Sequence, residues 1–202
     1  MNFLGHCLLC KDHLELITGN FGGDFYKGNL DNMVDVPKHV IDGVRLHRFI
    51  DESTDNSAHI REIAHFLQSN EVQRVSYIGI DFLLDHYIAT HWKDYHDMPY
   101  LNFLNQIYSQ VEADFDQLTI EFRYFYAVMK DYGWFLDYPL EPGMKRVMVQ
   151  YSKRIGFENN LPHALDLYYE HKKHFDTCFK SFMEEVIPKT EKFILSMKGI
   201  NP

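Results

Sequence analysis

The chain has no run approaching the 18 or so apolar residues that a membrane-crossing helix needs. Its opening stretch, MNFLGHCLLC, lacks the basic segment of a secretory leader, and His6 and Lys11 break up the apolar residues. Cysteine is scarce and odd in number, at positions 7, 10 and 178. A C-x-x-C beside His6 without a second half-site is a weak zinc or redox motif. These thiols therefore read as small buried apolar residues, and a reducing, cytoplasmic setting is expected. Positive charge is also short, with 20 Lys+Arg against 29 Asp+Glu and a net charge of −9. A nucleic-acid binder needs the opposite balance, so neither nucleic acid nor membrane is expected as a partner. There is no G-x-G-x-x-G after a strand, no Walker-type phosphate loop and no G-x-S-x-G elbow. A serine or cysteine nucleophile thus has no support.

Sustained alternation, hairpin signatures, internal repeats and low-complexity tracts are missing too, and what remains is helical periodicity. The 202 residues predict an all-α fold, a single compact helical bundle with one domain over 1–202. Helices are expected over 2–10, 14–27 (loosened by Gly19, Gly22 and Gly23), 38–55, 57–68, 72–92, 100–113 and 117–132. The segment GWFLDYPLEPG reads as a break, followed by helix over 144–156. A long helix over 162–197, bent near Pro188, closes the chain.

Nine of the twelve histidines lie in the first hundred residues. In GVRLHRFIDESTD, a helix at about 100° per residue places Val40, Val44, His47, Asp51 and Asp55 within an arc of roughly 80°, the width of a core-facing stripe. Farther on, Ile78, Asp81, Asp85, Ile88 and Trp92 share a similar stripe in IGIDFLLDHYIATHW. An unpaired buried carboxylate costs several kcal/mol, so each stripe calls for partners. Ion pairs and hydrogen-bonded core polar groups are one account. A divalent cation held by His47, Asp51, Asp81 and Asp85 is the more economical one. Oxygen and nitrogen ligands suit Mn²⁺, Mg²⁺ or Fe²⁺. Asp24, one turn after Asn20 and beside Gly22 and Gly23, is a third candidate, and Lys27 could reach an anion. Metal-assisted hydrolysis is the reaction class these residues favour.

The order MNFLGH, GNFGGDFYKGN, GVRLHRFIDESTD and IGIDFLLDHYIATHW resembles the acyl carrier protein phosphodiesterases, a divergent branch of the HD-type metal-dependent phosphohydrolases. The likeness continues weakly through WFLDYPLEPGMKRVMVQYSKRIGF into the terminal helix. It implies an HD-domain-like helical fold with Mn²⁺ as the usual activator. The implied reaction is hydrolysis of the phosphodiester joining 4′-phosphopantetheine to a serine of holo-acyl carrier protein, the carrier of fatty acid biosynthesis. The resemblance gives Asp24 an essential part. It sets His6, His47, Asp51, Asp81, Asp85 and His86 around the same centre, so His6 and Asp24 join the metal candidates.

On that reading Asp24 orients or deprotonates water, His86 or His47 protonates the leaving oxygen, and Arg48 or Lys27 holds the phosphate oxygens. An acidic carrier would need a cationic patch, for which Lys145, Arg146, Lys153 and Arg154 are the densest candidates and Lys172 with Lys173 the next. Two other readings stay open: a phosphohydrolase acting on a nucleotide or other small phosphoester, and a non-catalytic helical module that binds a carrier protein.

Overall fold

A computed structural model describes residues 1–200. Among them the chain forms eleven α-helices and no strand: α1 Phe3–Leu9, α2 Ile17–Phe21, α3 Lys38–Asn56, α4 Ala58–Ser69, α5 Ser76–Thr90, α6 Tyr100–Ala113, α7 Ile120–Asp131, α8 Trp134–Asp137, α9 Glu141–Ser152, α10 His163–Glu170 and α11 Lys172–Met197. The expected helix over 14–27 is divided into the 3₁₀ turn Leu14–Leu16, the short α2 and a second 3₁₀ turn, Gly23–Phe25. The 162–197 helix is also two helices, parted at His171, whereas α11 runs through Pro188 without a break. The presumed gap before residue 144 holds α8 and the first turn of α9, which accepts Pro142 where no intrahelical N–H donor is required.

α5 is apolar on nearly every side and is the central helix, packing against α1, α4, α9, α10 and α11. α1 and α3 meet through α2, and α3 continues along α11. Aromatic rings fill the space beside the first helices: Phe21 lies edge-on to Phe3 and Phe122, and tilted against Phe135. This packing brings the start of the chain against the middle of α3 and the front of α5.

Candidate active site

The site begins with a backbone contact. A Cβ on Gly19 would lie 1.9 Å from the Val40 carbonyl oxygen, and one on Gly43 would lie 2.4 Å from that of Leu16. Only glycine at both positions lets α2 and α3 touch in this way. The contact carries Asn20, next to Gly19, up to His47, one turn after Gly43. Gly23 completes the fit, since a Cβ there would enter the His47 ring at 2.2 Å from its Cγ. The following residue, Asp24, is thereby placed at the rim of the same pocket.

Asn20, fully buried, fixes both imidazoles. Its Nδ2 donates to the His6 carbonyl at 2.6 Å, so its Oδ1 faces His6 Nδ1 at 3.0 Å and accepts that proton. The Asn20 main-chain carbonyl accepts from His47 Nδ1 at 2.8 Å. Both rings therefore carry hydrogen on Nδ1 and turn Nε2 toward oxygen. His6 Nε2 is 3.1 Å from Asp51 Oδ1 and 3.1 Å from the Met1 carbonyl. His47 Nε2 is 3.0 Å from Asp51 Oδ2 and 3.8 Å from Asp24 Oδ1. His47 Nε2 is nonetheless buried without a hydrogen-bond partner. Lone pairs facing oxygens repel unless a positive charge lies between them.

The rings of His6 and His47 stack at 4.0 Å, 15° from parallel, close enough that two full charges would oppose each other. Burial works against a charged His47, but Asp24 and Asp51 outweigh it and raise that imidazole to about 9. Burial, reinforced by His47, lowers His6 to about 4. One positive charge therefore serves the pair. Burial also opposes an ionised Asp51, yet His47 and His6 hold it far below the usual carboxylate range. His47 lowers Asp24 in the same direction.

The donor set fits a divalent cation. Ligating atoms of His6, His47 and Asp51 lie within 4.8 Å of one another. Both nitrogens are held in the tautomer that a metal requires, by partners on the opposite ring atom, as is usual for metal-binding histidines. Asp24 adds a mostly exposed carboxylate at the rim. Asp81 borders the group through the Met1 amino nitrogen, which is 2.7 Å from Asp81 Oδ1 and 4.0 Å from Asp51 Oδ1.

Other expected members lie elsewhere. Asp85 is buried behind α1, where its two oxygens accept the Leu4 and Gly5 N–H groups at 2.9 Å each. It satisfies the unpaired donors of the α1 N-terminus, and burial pushes it up to about 7 against the pull of those donors. His86 points away from the cluster. Its Nδ1 meets the Tyr138 carbonyl at 2.6 Å and its Nε2 the Tyr169 hydroxyl at 2.8 Å. Both nitrogens being engaged, it is no proton donor to a leaving group at His47. Arg48 donates to the Tyr26 and Gly28 carbonyls at 2.8 and 2.9 Å. It clamps the loop after Asp24, on which Lys27 is also exposed. Asp55 is exposed at the end of α3.

The four-cation patch is split. Lys145 is paired with Asp166 and the Pro162 carbonyl, and Arg146 grips Asp137. Lys153 and Arg154 are exposed at the end of α9, with Arg154 over the Trp134 ring at 5.7 Å. Tyr151, one turn earlier, is raised first by burial and then by the charges of Asp24 and Asp81. Its ring packs edge-on to Phe82, the residue after Asp81, at 5.0 Å, which sets that end of α9 beside the site.

Sequence reasoning did not find the part Asn20 plays. Its spacing from Asp24 was visible, but nothing local marks an asparagine that orients two histidines from separate helices. The acyl carrier protein phosphodiesterase family model matches residues 1–186. A Pectobacterium atrosepticum protein named acyl carrier protein phosphodiesterase is 31% identical over 155 residues, covering 76% of this chain and 79% of that protein. Two Klebsiella pneumoniae proteins of the same name are 34% identical over 112 residues and 37% identical over 92 residues. Those matches cover 55% and 46% of this chain, and 56% and 46% of the two relatives, so the matched stretch spans about half of each. No solved structure matches the chain significantly.

Proposed function

The chain belongs to the acyl carrier protein phosphodiesterase family, and on that premise we propose that it hydrolyses the phosphodiester of holo-acyl carrier protein. The products are 4′-phosphopantetheine and the apo carrier, and the whole chain acts as one catalytic domain. The observation that carries the site assignment is the pair of imidazoles whose Nδ1 atoms are tied down and whose Nε2 atoms converge on Asp51. His6, His47 and Asp51, with Asp24 and Asp81 beside them, would hold a divalent cation in an HD-like arrangement. The oxygen and nitrogen donors suit Mn²⁺, Mg²⁺ or Fe²⁺, and the family resemblance favours Mn²⁺ among them. When bound, the cation supplies charge neutralisation at the phosphodiester and a more acidic water.

The chain's own residues do the remaining work. Asp24 is on the open side of His47, where its carboxylate can orient the attacking water and take its proton. Asn20 keeps His6 and His47 in the one tautomer that leaves Nε2 available. Arg48 positions Asp24 indirectly by holding the 26–28 loop, and Lys27 on that loop is the cation that can reach a phosphate oxygen. Lys153 and Arg154 offer the exposed positive charge that an acidic carrier would meet next to the site. Three free, buried thiols suit a reducing compartment such as the cytoplasm.

Intact mass of holo-acyl carrier protein, followed during incubation with the chain and Mn²⁺, tests the reading. The parent is expected to remove the phosphopantetheine mass, and Asp24→Ala to leave it in place. Equal cleavage by both would end the role assigned to Asp24. No cleavage by a Mn²⁺-loaded parent would end the carrier-protein assignment.

A further inference from the structure

A second set of ligating atoms lies between α4 and α11. His174 and Cys178 are four residues apart on α11 and so share one side of that helix. Glu62 faces them from α4, which packs along α11. One ligating atom from each residue lies within 4.8 Å of the others, and Glu62 Oε1 is 3.7 Å from His174 Nδ1. Phe66 and Phe175 wall the imidazole, with centroids at 5.8 and 6.0 Å. Cys178 is a free thiol, only 5% exposed, while Glu62 and His174 reach solvent and give an ion a way in. The phosphodiesterase reading uses none of the three.

We propose that Glu62, His174 and Cys178 form a second metal site, suited to a borderline cation of the Zn²⁺ class, that ties α4 to α11. One sulfur, one nitrogen and one oxygen are zinc's usual donors, and water can take the fourth tetrahedral position. Zinc bond lengths of about 2.0–2.3 Å set tetrahedral donors roughly 3.3–3.8 Å apart. The group therefore needs to close by no more than about 1 Å, a movement the exposed Glu62 side chain can make. The Cys178 S–H bond breaks as the metal–sulfur bond forms, and the proton passes to buffer. Because binding releases that proton, occupancy becomes stronger as pH rises. Thiolate also separates the two clusters chemically: a hard ion such as Mn²⁺ favours the His6–His47–Asp51 group, and a softer one takes the sulfur.

Co²⁺ titration of the metal-free chain tests the site, because cobalt bound to thiolate gives a near-ultraviolet charge-transfer band that oxygen and nitrogen ligands do not. The parent is expected to show that band, to lose it on adding Zn²⁺ and to keep it on adding Mn²⁺. Cys178→Ser is expected to abolish the band and to lessen the rise in thermal midpoint that Zn²⁺ gives the parent. His174→Gln and Glu62→Gln, both at solvent-reaching positions, are expected to raise the Co²⁺ concentration that gives half of the band at least tenfold without unfolding the chain. Absence of the band at saturating Co²⁺ would overturn the proposal, as would a band surviving in Cys178→Ser or undiminished affinity in both polar variants. None of these readouts depends on phosphodiester cleavage.

Discussion

His6, His47 and Asp51 converge between α1 and α3, as Glu62, His174 and Cys178 converge between α4 and α11. The first group is held from behind: Asn20 fixes two tautomers, Gly23 presses on one ring, and the second imidazole stacks on the first. The second group has two solvent-reaching members, and the His174 ring makes no hydrogen bond among the described residues, with Glu62 Oε1 at 3.7 Å. Chemistry on a phosphodiester needs ligands fixed before substrate arrives. A tie between two helices needs only ligands that can close on an ion. Similar numbers of donors thus serve different ends according to what stands behind them.

Removing the shared carboxylate strikes that comparison hardest. Asp51→Ala removes the carboxylate that both Nε2 atoms face, and carrier hydrolysis is expected to fall by about a thousandfold or more. Equilibrium dialysis should show Mn²⁺ binding lost, whereas the cobalt–thiolate band at Cys178 should persist. Asn20→Ala leaves the ligands themselves intact and is expected to weaken Mn²⁺ binding by about 10–100-fold. An unchanged affinity would mean that the first group is no better organised than the second. Gly43→Ala places a methyl against the α2 backbone, and urea unfolding should report a loss of about 1–3 kcal/mol. Unaltered stability would show that α2 can slide and that the His47 geometry is not imposed by the crossing.

The smallest effect is expected from pH in the metal-free chain. His47, raised to about 9 from an ordinary 6.5, contributes stability that is complete below pH 6.5 and lost as pH rises through about 9. His6, lowered to about 4, contributes stability that is present above pH 6.5 and lost as pH falls toward 4. The thermal midpoint of the chelated protein should therefore be highest near pH 6.5. His47→Gln should flatten its alkaline side and His6→Gln its acidic side. A profile unmoved by either variant would deny the one-proton account of the stacked pair.

The stripe on α3 was legible because that helix has one apolar face: Val40, Val44 and His47 are buried, and Asp51 lies at the cluster. The same arithmetic failed on α5 for a physical reason. A helix buried on nearly all sides has no single inward face, so Asp81 meets the cluster while Asp85 caps α1 and His86 meets Tyr138 and Tyr169. The helical class and most element positions followed from periodicity. The division at His171 did not, since neither glycine nor proline stands there. Of the cationic patch, residue type was readable, but the partners Asp137 and Asp166 that occupy Arg146 and Lys145 were not.

The crossing of α2 on α3 also bears on the order in which the chain acquires its parts. His6, Asn20, Asp24, His47 and Asp51 all come from the first 51 residues, and the segments between them are short enough that closing them costs little chain entropy. Helices α1 to α3, with the 3₁₀ turn at Gly23–Phe25, carry every one of these groups. Asp81 and α11 come later, so the donor set can be arranged before the rest of the bundle exists to enclose it.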